Sequence, residues 1–372
     1  MANPVDLMGL KLKNPIITAA GPWAGSADGL QRCIDTGAAA VITETIALEP
    51  RARISPRLFA HDRKLFNVML HSELHLEEWE EALQRIDRRD AKLICSIWGG
   101  TPSEITYLAR KVEHMGADAI EISIAAPVGS RNQLVMKPSE DIHQFIGAAV
   151  AAVSIPVMVK LSYESAVSPN FLWELKQAGV QAVSAIDALK GLSGVDLETG
   201  RSLMPSYGGY TSSSIKPVSL ATTAALQQYT SLPVVSSGGV LDSGTALELL
   251  MLGATAVQAA SVILWKGYDP VTAMIDEIDQ WLSSHGYEGV EEIRGKALGS
   301  LRAFEDIVPS DLCARPRRDC RRTECLICLK SCYPQAISLD DSDLITVDRY
   351  RCDGCGLCVD RCPDRLLALD WC

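Results

Sequence analysis

Apolar residues form short continuous runs between Asn14 and about Gly286, and helical patterns separate these runs. Runs rich in β-branched residues predict eight strands, at Pro15–Ala20, Ala40–Thr45, Lys92–Trp98, Ala119–Ile124, Pro156–Leu161, Ala182–Ile186, Pro233–Ser237 and Ala256–Ala260. Most runs are continuous rather than alternating, which is typical of parallel strands buried on both faces. Eight strand–helix units predict an α/β fold in which residues 1–305 form a (β/α)8 barrel.

Amphipathic segments between these strands predict helices, for example Leu76–Arg88, Ser103–His114, Ser139–Val153, Asn170–Gln177 and Ser243–Leu252. Three of these helices are followed closely by a glycine, at Gly116, Gly179 and Gly253. A helix often ends at a residue in the left-handed conformation, which glycine adopts without steric cost. The glycines therefore support the predicted ends of these helices.

In a barrel of this type, chemistry takes place at the carboxyl ends of the strands and in the loops that follow. Gly238 and Gly239 follow the seventh predicted strand, and Ala260-Ser261 ends the eighth. Backbone amides at these places are suited to binding a phosphate group. Lys160 ends an otherwise apolar strand. Its stem could pack while the ammonium reaches water, or the cation could lie beneath an electron-rich cofactor ring.

Ten of the 12 cysteines lie between Cys313 and Cys372, so a cysteine-poor body precedes a cysteine-rich tail. The segment Cys352–Pro363 has the pattern C-x2-C-x2-C-x3-C-P. This spacing is typical of bacterial ferredoxins with two clusters, in which the fourth cysteine binds the other cluster. A second run contains Cys325, Cys328 and Cys332, and Cys320 precedes it by a longer gap than usual.

The tandem runs predict two [4Fe–4S] clusters in a ferredoxin-like α+β domain over residues 306–372. Crossed ligation assigns one cluster to Cys320, Cys325, Cys328 and Cys362, and the other to Cys332, Cys352, Cys355 and Cys358. Cys313 and Cys372 are assigned to neither cluster. Cys313 is the second choice for the position of Cys320, because it would close a longer loop.

The charge and hydropathy of the chain exclude some classes of function. The net charge of −11 argues against general nucleic-acid binding. The most apolar stretch, Phe145–Val159, is interrupted by Ser154 and Pro156 and is shorter than the roughly 20 residues of a membrane helix. Because Met1–Pro15 has no apolar signal-peptide core, we expect a cytoplasmic protein without a membrane span.

These features together resemble the dihydroorotate dehydrogenase superfamily, and most closely the catalytic flavin and iron–sulfur part of bacterial dihydropyrimidine dehydrogenase. The resemblance covers nearly the whole chain. It rests on Asn14–Pro22, Ile54–Arg57, Leu65–Asn67, Val159–Leu161, Gly208–Tyr210, Ile215–Pro217, Val234–Gly239 and Gly253–Ser261. It implies a barrel that binds flavin mononucleotide (FMN) and is joined to iron–sulfur clusters.

The resemblance also implies roles for particular residues. Lys160 would lie near the N1/O2 edge of the flavin and stabilise its anionic reduced form, while Asn67 would contact both the cofactor and the amide groups of a substrate. Ser212 falls where the family usually has a glycine close to the ring. The remaining residues expected to bind FMN are Ala19, Ala20, Gly21, Thr43, Gly238, Gly239, Ala260 and Ser261.

Four departures from the family pattern fall in one predicted site. Ala126 occupies the position of the acid/base cysteine or serine, and alanine cannot exchange a proton. Ser123 and Asp187 replace two pocket asparagines, and Glu44 replaces a lysine that faces the flavin. Because buried amides matched to a substrate give strong selectivity, these changes argue against a standard pyrimidine as substrate.

The sequence therefore predicts an oxidoreductase that reduces or reversibly oxidises a C=C bond of a cyclic or conjugated small molecule. Asp187 is the first choice for the proton donor and Glu44 the second. Tyr163, Ser130 and His71 are further candidates, and His71 could also contact the substrate. Two alternatives stay open. One is an electron-transfer subunit without substrate chemistry, and the other is a dihydropyrimidine or dihydroorotate dehydrogenase with a relocated acid/base.

The source of electrons is predicted from a missing motif. No G-x-G-x-x-G fingerprint follows a predicted strand, so the sequence does not support direct binding of a nicotinamide dinucleotide. We expect electrons from a ferredoxin or a separate flavoprotein, and assembly into a homodimer or hetero-oligomer.

Overall fold

A computed structural model describes residues 3–50, 54–68, 71–124, 142–308, 312–320 and 325–371 of the 372-residue chain. The chain divides into two compact units, Met1–Leu298 and Gly299–Cys372. This division falls close to the domain boundary that the sequence predicts between residues 305 and 306.

The first unit contains the parallel strands that its apolar runs predict. In chain order its strands are β1 (Val5–Leu7), β2 (Leu10–Leu12), β3 (Ile16–Thr18), β4 (Ala40–Ile42), β5 (Leu58–His61), β6 (Lys64–Asn67), β7 (Lys92–Ile97), β8 (Ala119–Ser123), β9 (Val157–Lys160), β10 (Ala182–Ala185), β11 (Leu189–Gly191), β12 (Gly208–Thr211), β13 (Val234–Ser237) and β14 (Ala256–Ala259).

Eight of these strands close into a barrel in the order β10-β13-β14-β3-β4-β7-β8-β9. The pairs are parallel, and in β9 the residue Lys160 lies opposite Ser123 of β8 and Ser184 of β10. Each barrel strand matches one of the eight predicted runs, so the predicted (β/α)8 barrel is confirmed. Strands such as β4 and β10 are buried along their whole length, as continuous apolar runs require.

Helices follow the strands and cover the barrel. They are α1 (Ala27–Asp35), α2 (Leu76–Arg85), α3 (Pro102–His114), α4 (Ala148–Ala151), α5 (Tyr163–Ala166), α6 (Pro169–Gln177), α7 (Lys216–Tyr229), α8 (Ser243–Met251), α9 (Ser261–Lys266) and α10 (Asp269–Ser284). Short 3-10 helices lie at Pro22–Ala24, Ser213–Ile215, Val290–Glu292, Leu298–Ser300 and Phe304–Asp306.

Two predicted helices differ from those observed. The helix predicted at Leu76–Arg88 ends at Arg85, because Ile86 has an extended backbone with φ −78° and ψ 138°. The described part of the predicted helix Ser139–Val153 is a π-helix, Ile142–Gly147, followed by the short α4. Gly116, Gly179 and Gly253 have φ values of 90°, 87° and 100°, as predicted for residues that end helices.

A second, antiparallel sheet is inserted into the barrel chain, with strand order β11-β12-β6-β5. Strands β5 and β6 lie between the barrel strands β4 and β7, and β11 and β12 follow β10. In this sheet Asn67 pairs with Leu58 on one side and Gly209 on the other. Asn67, at the end of β6, thus lies in a segment that connects two barrel strands, β4 and β7.

The second unit is small and has its own core. Strands β15 (Leu312–Pro316) and β18 (Leu367–Trp371) form one antiparallel pair, and β16 (Ile337–Leu339) and β17 (Ile345–Val347) form another. The helices are α11 (Ile327–Ser331) and α12 (Leu357–Asp360). Cysteine side chains pack with a few aliphatic residues in this core. Among the described helices of the whole chain, none is long and apolar enough to cross a membrane.

Candidate functional site

A cavity of about 1010 Å³, counting the part open to solvent, lies at the carboxyl ends of the barrel strands. Residues of the inserted sheet, including Leu58, Asn67 and Thr211, complete its wall. The predicted residues that line it are Ala19, Ala20, Gly21, Glu44, Asn67, Ser123, Lys160, Asp187, Gly238, Gly239, Ala260 and Ser261.

Lys160 is held at the cavity by a network of buried polar side chains. Its ammonium donates to Gln258 Oε1, and to Ser237 Oγ at 3.1 Å. The other end of the Gln258 amide donates to Glu121 Oε2 at 2.8 Å, and Ser184 Oγ donates to the same oxygen at 2.7 Å. Glu121 therefore supplies the negative charge that balances Lys160, and it does so through Gln258.

One end of the cavity is built from backbone amides. Gly238 and Gly239 follow β13 with φ values of 106° and 77°. A Cβ on Gly239 would lie 2.7 Å from the backbone nitrogen of Lys216, so the close approach of these two backbones requires glycine. No side chain caps the helix that begins at Ser261. Its first N–H groups are thus available to a phosphate, as at other helix N-termini.

An indole covers the predicted flavin-binding backbone after β3. Trp23 Nε1 donates to the carbonyl oxygen of Ala19 at 2.8 Å, and a Cβ on Gly21 would lie 2.4 Å from the indole ring. The backbone of Gly21 is extended, with φ 164°. Glycine is needed here because of contact with Trp23, and not because of a special backbone conformation.

Asp187 lines the cavity directly after β10. Its Oδ1 accepts the backbone N–H of Ala188 at 2.8 Å. Burial raises the pKa of the Asp187 carboxyl, and this outweighs the opposing effects of the Lys160 charge and the Ala188 hydrogen bond. A carboxyl group with a raised pKa stays protonated to higher pH and can donate a proton.

Glu44 is a buried carboxylate that forms an ion pair with Arg57. Its Oε1 accepts a hydrogen bond from Arg57 Nη2, and Arg57 Nη1 lies 3.4 Å from Glu73 Oε1. Burial raises the pKa of Glu44, while Arg57 lowers it. The pKa of Glu44 is raised overall, but because Arg57 opposes this rise and occupies Oε1, Glu44 is less suited to donating a proton than Asp187.

Several predicted site residues do not line the cavity. His71 packs its ring against Trp98, with centroids 4.5 Å apart, and Thr43 Oγ1 accepts the backbone N–H of Ser96. Ser212 accepts a hydrogen bond from Trp265, with its backbone in a region usually reserved for glycine (φ 84°, ψ −170°). Tyr163 lies exposed on α5. Ala126 and Ser130 fall outside the described residues.

Other residues at the site were missed by the sequence predictions. Glu121 and Gln258 are polar residues within apolar strands, and this interruption was a usable signal because buried polar groups need partners. Trp23 comes directly after Gly21-Pro22, the two residues that follow the first predicted strand. The pairing of Glu44 with Arg57 could not be predicted from neighbouring residues, because Arg57 lies 13 positions away on an inserted segment.

Eight cysteines of the tail surround two cavities, four at each. Cys320, Cys325, Cys328 and Cys362 line a cavity of about 370 Å³, and Cys332, Cys352, Cys355 and Cys358 line one of about 310 Å³. The two groups coincide with the crossed assignment from the sequence. Within the described residues, no His, Cys, Asp and Glu side chains are arranged to hold a single metal ion. Thiolates around a cluster stand farther apart, so this donor set fits clusters better than zinc.

The two halves of the tail repeat with an offset of 30 residues. Leu326 and Gly356 both have left-handed backbones, and so do Gln335 and Arg365. The sulfur of Cys332 accepts a hydrogen bond from the N–H of Ala336, and the sulfur of Cys362 accepts one from Leu366. Cys313 is disulfide-bonded and lines neither cavity.

Comparison with known proteins agrees with this geometry. Residues 3–282 match the family described as dihydroorotate dehydrogenase, and residues 345–366 match the 4Fe-4S binding domain. The chain belongs to the dihydroorotate dehydrogenase family. It is an oxidoreductase that acts on CH–CH groups with flavin and iron–sulfur chemistry.

Relatives in this family include dihydroorotate dehydrogenase B (NAD(+)) catalytic subunits. The protein from Pyrococcus abyssi is 31% identical over 79% of this chain and 98% of its own length. The protein from Thermococcus kodakarensis is 31% identical over 79% of this chain and 97% of its own length. The protein from Methanosarcina mazei is 31% identical over 78% of this chain and 94% of its own length. About a fifth of this chain thus lies outside each alignment, although the relatives are covered almost completely.

The Glu44–Arg57 ion pair gives a prediction about stability. Arg57→Met leaves a buried carboxylate without its cation, which we expect to cost about 3–5 kcal/mol at pH 8. The loss should shrink toward pH 5, because the pKa of Glu44 rises further and protonation removes the charge. The double variant Glu44→Gln/Arg57→Met should recover much of the stability at pH 8. Thermal unfolding at both pH values measures these effects; an equal loss in both variants, independent of pH, would contradict the ion-pair role.

The cysteine groups predict how iron content depends on Cys320. If two four-iron clusters are bound, Cys320→Ser should lower iron and acid-labile sulfide from about eight per chain toward about four. Cys313→Ser is the matched control and should keep both clusters. Chemical analysis of anaerobically purified protein decides this. If Cys320→Ser keeps its full iron content and Cys313→Ser loses iron, Cys313 rather than Cys320 is the cluster ligand.

Proposed function

We propose that the protein is an FMN-dependent oxidoreductase that takes electrons through two [4Fe–4S] clusters. Its reaction is the reduction of a C=C bond, or the reverse oxidation of a CH–CH bond, in a cyclic or conjugated small molecule other than a standard pyrimidine. The observation that carries this proposal is a single cavity that combines a backbone amide cradle, the buried Lys160 ammonium and the Asp187 carboxyl.

The residues present fit FMN. The amides near Gly239 and Ser261 would hold its phosphate, and the backbone of Ala19–Gly21 would lie along its ring. Lys160 would meet the edge of the ring on which negative charge collects. Bound FMN would supply hydride transfer to or from a carbon of the substrate, and the clusters would supply electrons one at a time.

The chain's own task in the reaction is to place charges and move a proton. Lys160 donates to two acceptors, so one of its three N–H bonds is left to point at negative charge in the cavity. Asp187 is the best-placed proton donor among the described lining residues, because its pKa is raised and no side-chain cation is bonded to it. Asn67 and Ser123 would contact and orient the substrate.

The tail supports an electron path that differs from that of the curated relatives. Those relatives are catalytic subunits named for NAD(+), and their alignments leave about a fifth of this chain unmatched. The clusters bound by the tail would receive electrons from a ferredoxin or a separate flavoprotein, inside a homodimer or hetero-oligomer. In this respect the chain resembles the flavin and iron–sulfur part of dihydropyrimidine dehydrogenase.

The names of the relatives favour a second candidate function. A dihydroorotate dehydrogenase with a relocated acid/base would use Asp187 in place of the residue that Ala126 replaces. Turnover of dihydroorotate by the anaerobic holoprotein would support this alternative and count against the proposed function. An electron relay without substrate chemistry is disfavoured, because the cavity has room and polar groups beyond those assigned to the cofactor.

Asp187→Asn tests the proton donor. The isosteric amide keeps the shape but cannot deliver a proton, so reoxidation of the reduced holoprotein by substrate should fall at least about tenfold, since positioned acids contribute about 10²–10⁴-fold. In the parent, this rate should decline as pH rises through the raised pKa of Asp187, and the decline should be absent in the variant. Anaerobic stopped-flow mixing with a panel of enoyl and heterocyclic compounds provides the measurement.

Glu198→Gln is the control for this experiment, because it removes an exposed carboxylate that does not line the cavity. It should behave like the parent. An Asp187→Asn variant with the parent rate and pH profile would eliminate Asp187 as the acid. A flavin-loaded parent that no compound of the panel reoxidises would count against the enzyme function.

A further inference from the structure

The side chains that line the barrel cavity carry an unbalanced charge. Among the described lining residues, Glu44, Glu121 and Asp187 are acidic, and Lys160 is the one base. Their formal charge is therefore −2 when Asp187 is ionised and −1 when it is protonated. A bound FMN phosphate would make the cavity more negative still.

Among the described residues, the lysine that lines this cavity and the arginine bonded to Glu44 are already engaged. Lys160 is bonded to Ser237 and Gln258, its third N–H would face the flavin in the proposed function, and Glu121 balances its charge through Gln258. Arg57 lies between Glu44 and Glu73. A substrate carboxylate that recruited either cation would have to break these bonds and leave a buried acid without a partner, which is strongly unfavourable.

Asp187, in contrast, offers capacity to accept hydrogen bonds. Its Oδ1 takes the N–H of Ala188, and a carboxyl group has several further acceptor positions. Burial already raises the pKa of this group, so a second negative charge beside it would meet added resistance. An N–H donor on a neutral ring would instead complete the hydrogen bonds of Asp187. Asn67 and Ser123 add further polar contacts on the same cavity wall.

We propose that the substrate is an uncharged, nitrogen-containing ring that donates an N–H to Asp187 and carries no carboxylate. This inference rests on the proposed function, because it assumes that FMN occupies the cavity. Charge, rather than ring shape, then excludes orotate-like acids. The side chains named here would thus separate this chain from relatives that are named for dihydroorotate.

Two matched pairs of compounds with a ring N–H test the inference, orotate with orotamide and 6-oxo-1,6-dihydronicotinate with its amide. Each pair keeps one ring and exchanges a carboxylate for a neutral amide. The holoprotein is titrated with each compound under anaerobic conditions, and binding is followed by the change in flavin absorbance. We expect an amide to bind at least about tenfold more tightly than its acid, since like charges brought together in a binding site are strongly disfavoured.

At a pH above the raised pKa of Asp187, Asp187→Asn removes a negative charge and should reduce this preference several-fold. Glu198→Gln should leave it unchanged. Equal or tighter binding of an acid by the parent overturns the inference, whatever the variants do. Failure of both amides to bind flavin-loaded protein overturns it as well. Protein that retains no flavin contradicts the proposed function itself, and the absorbance spectrum shows this before any compound is added.

Discussion

A lysine ammonium inside a barrel must be matched by acceptors, and the site depends on how this is achieved. Lys160, Ser237, Gln258, Glu121 and Ser184 come from five different barrel strands and form one connected set of hydrogen bonds. Because every side chain of the set has at least one hydrogen-bond partner within it, the set is rigid. Barrel closure brings the five strands together, so the fold itself fixes the position of the cation.

The carboxylates divide into three roles according to their partners. Glu121 serves as the counter-charge of Lys160, and Glu44 is neutralised by Arg57. Asp187 has a backbone hydrogen bond but no bonded cation, which leaves it free to exchange a proton or accept an N–H. Carboxyl groups thus have different chemistry at three places in one cavity, because their burial and their nearest charged partners differ.

The barrel was predictable because parallel strands need continuous apolar runs, and all eight appear at the predicted places. The cysteine groups followed from spacing, since a cluster fixes the distances between its ligands. The polar interior was less accessible. Glu121 and Gln258 interrupt apolar strands, but only the closed barrel reveals that they meet Lys160. The Glu44–Arg57 pair and the separation of His71 and Thr43 from the cavity depend on inserted segments and side-chain direction, which periodicity does not encode.

The central claim is that the Lys160 network sets the charge around a bound flavin, and the midpoint potential of that flavin tests it most directly. Spectroelectrochemical titration would compare the parent holoprotein with Lys160→Met and with Gln258→Met, which keeps the lysine but removes its bridge to Glu121. We predict a potential more negative by at least about 30 mV in Lys160→Met, a tenfold effect for a two-electron couple. We predict a smaller shift in the same direction in Gln258→Met, because the lysine then loses an acceptor that positions it. Potentials equal to that of the parent in both variants would contradict the account.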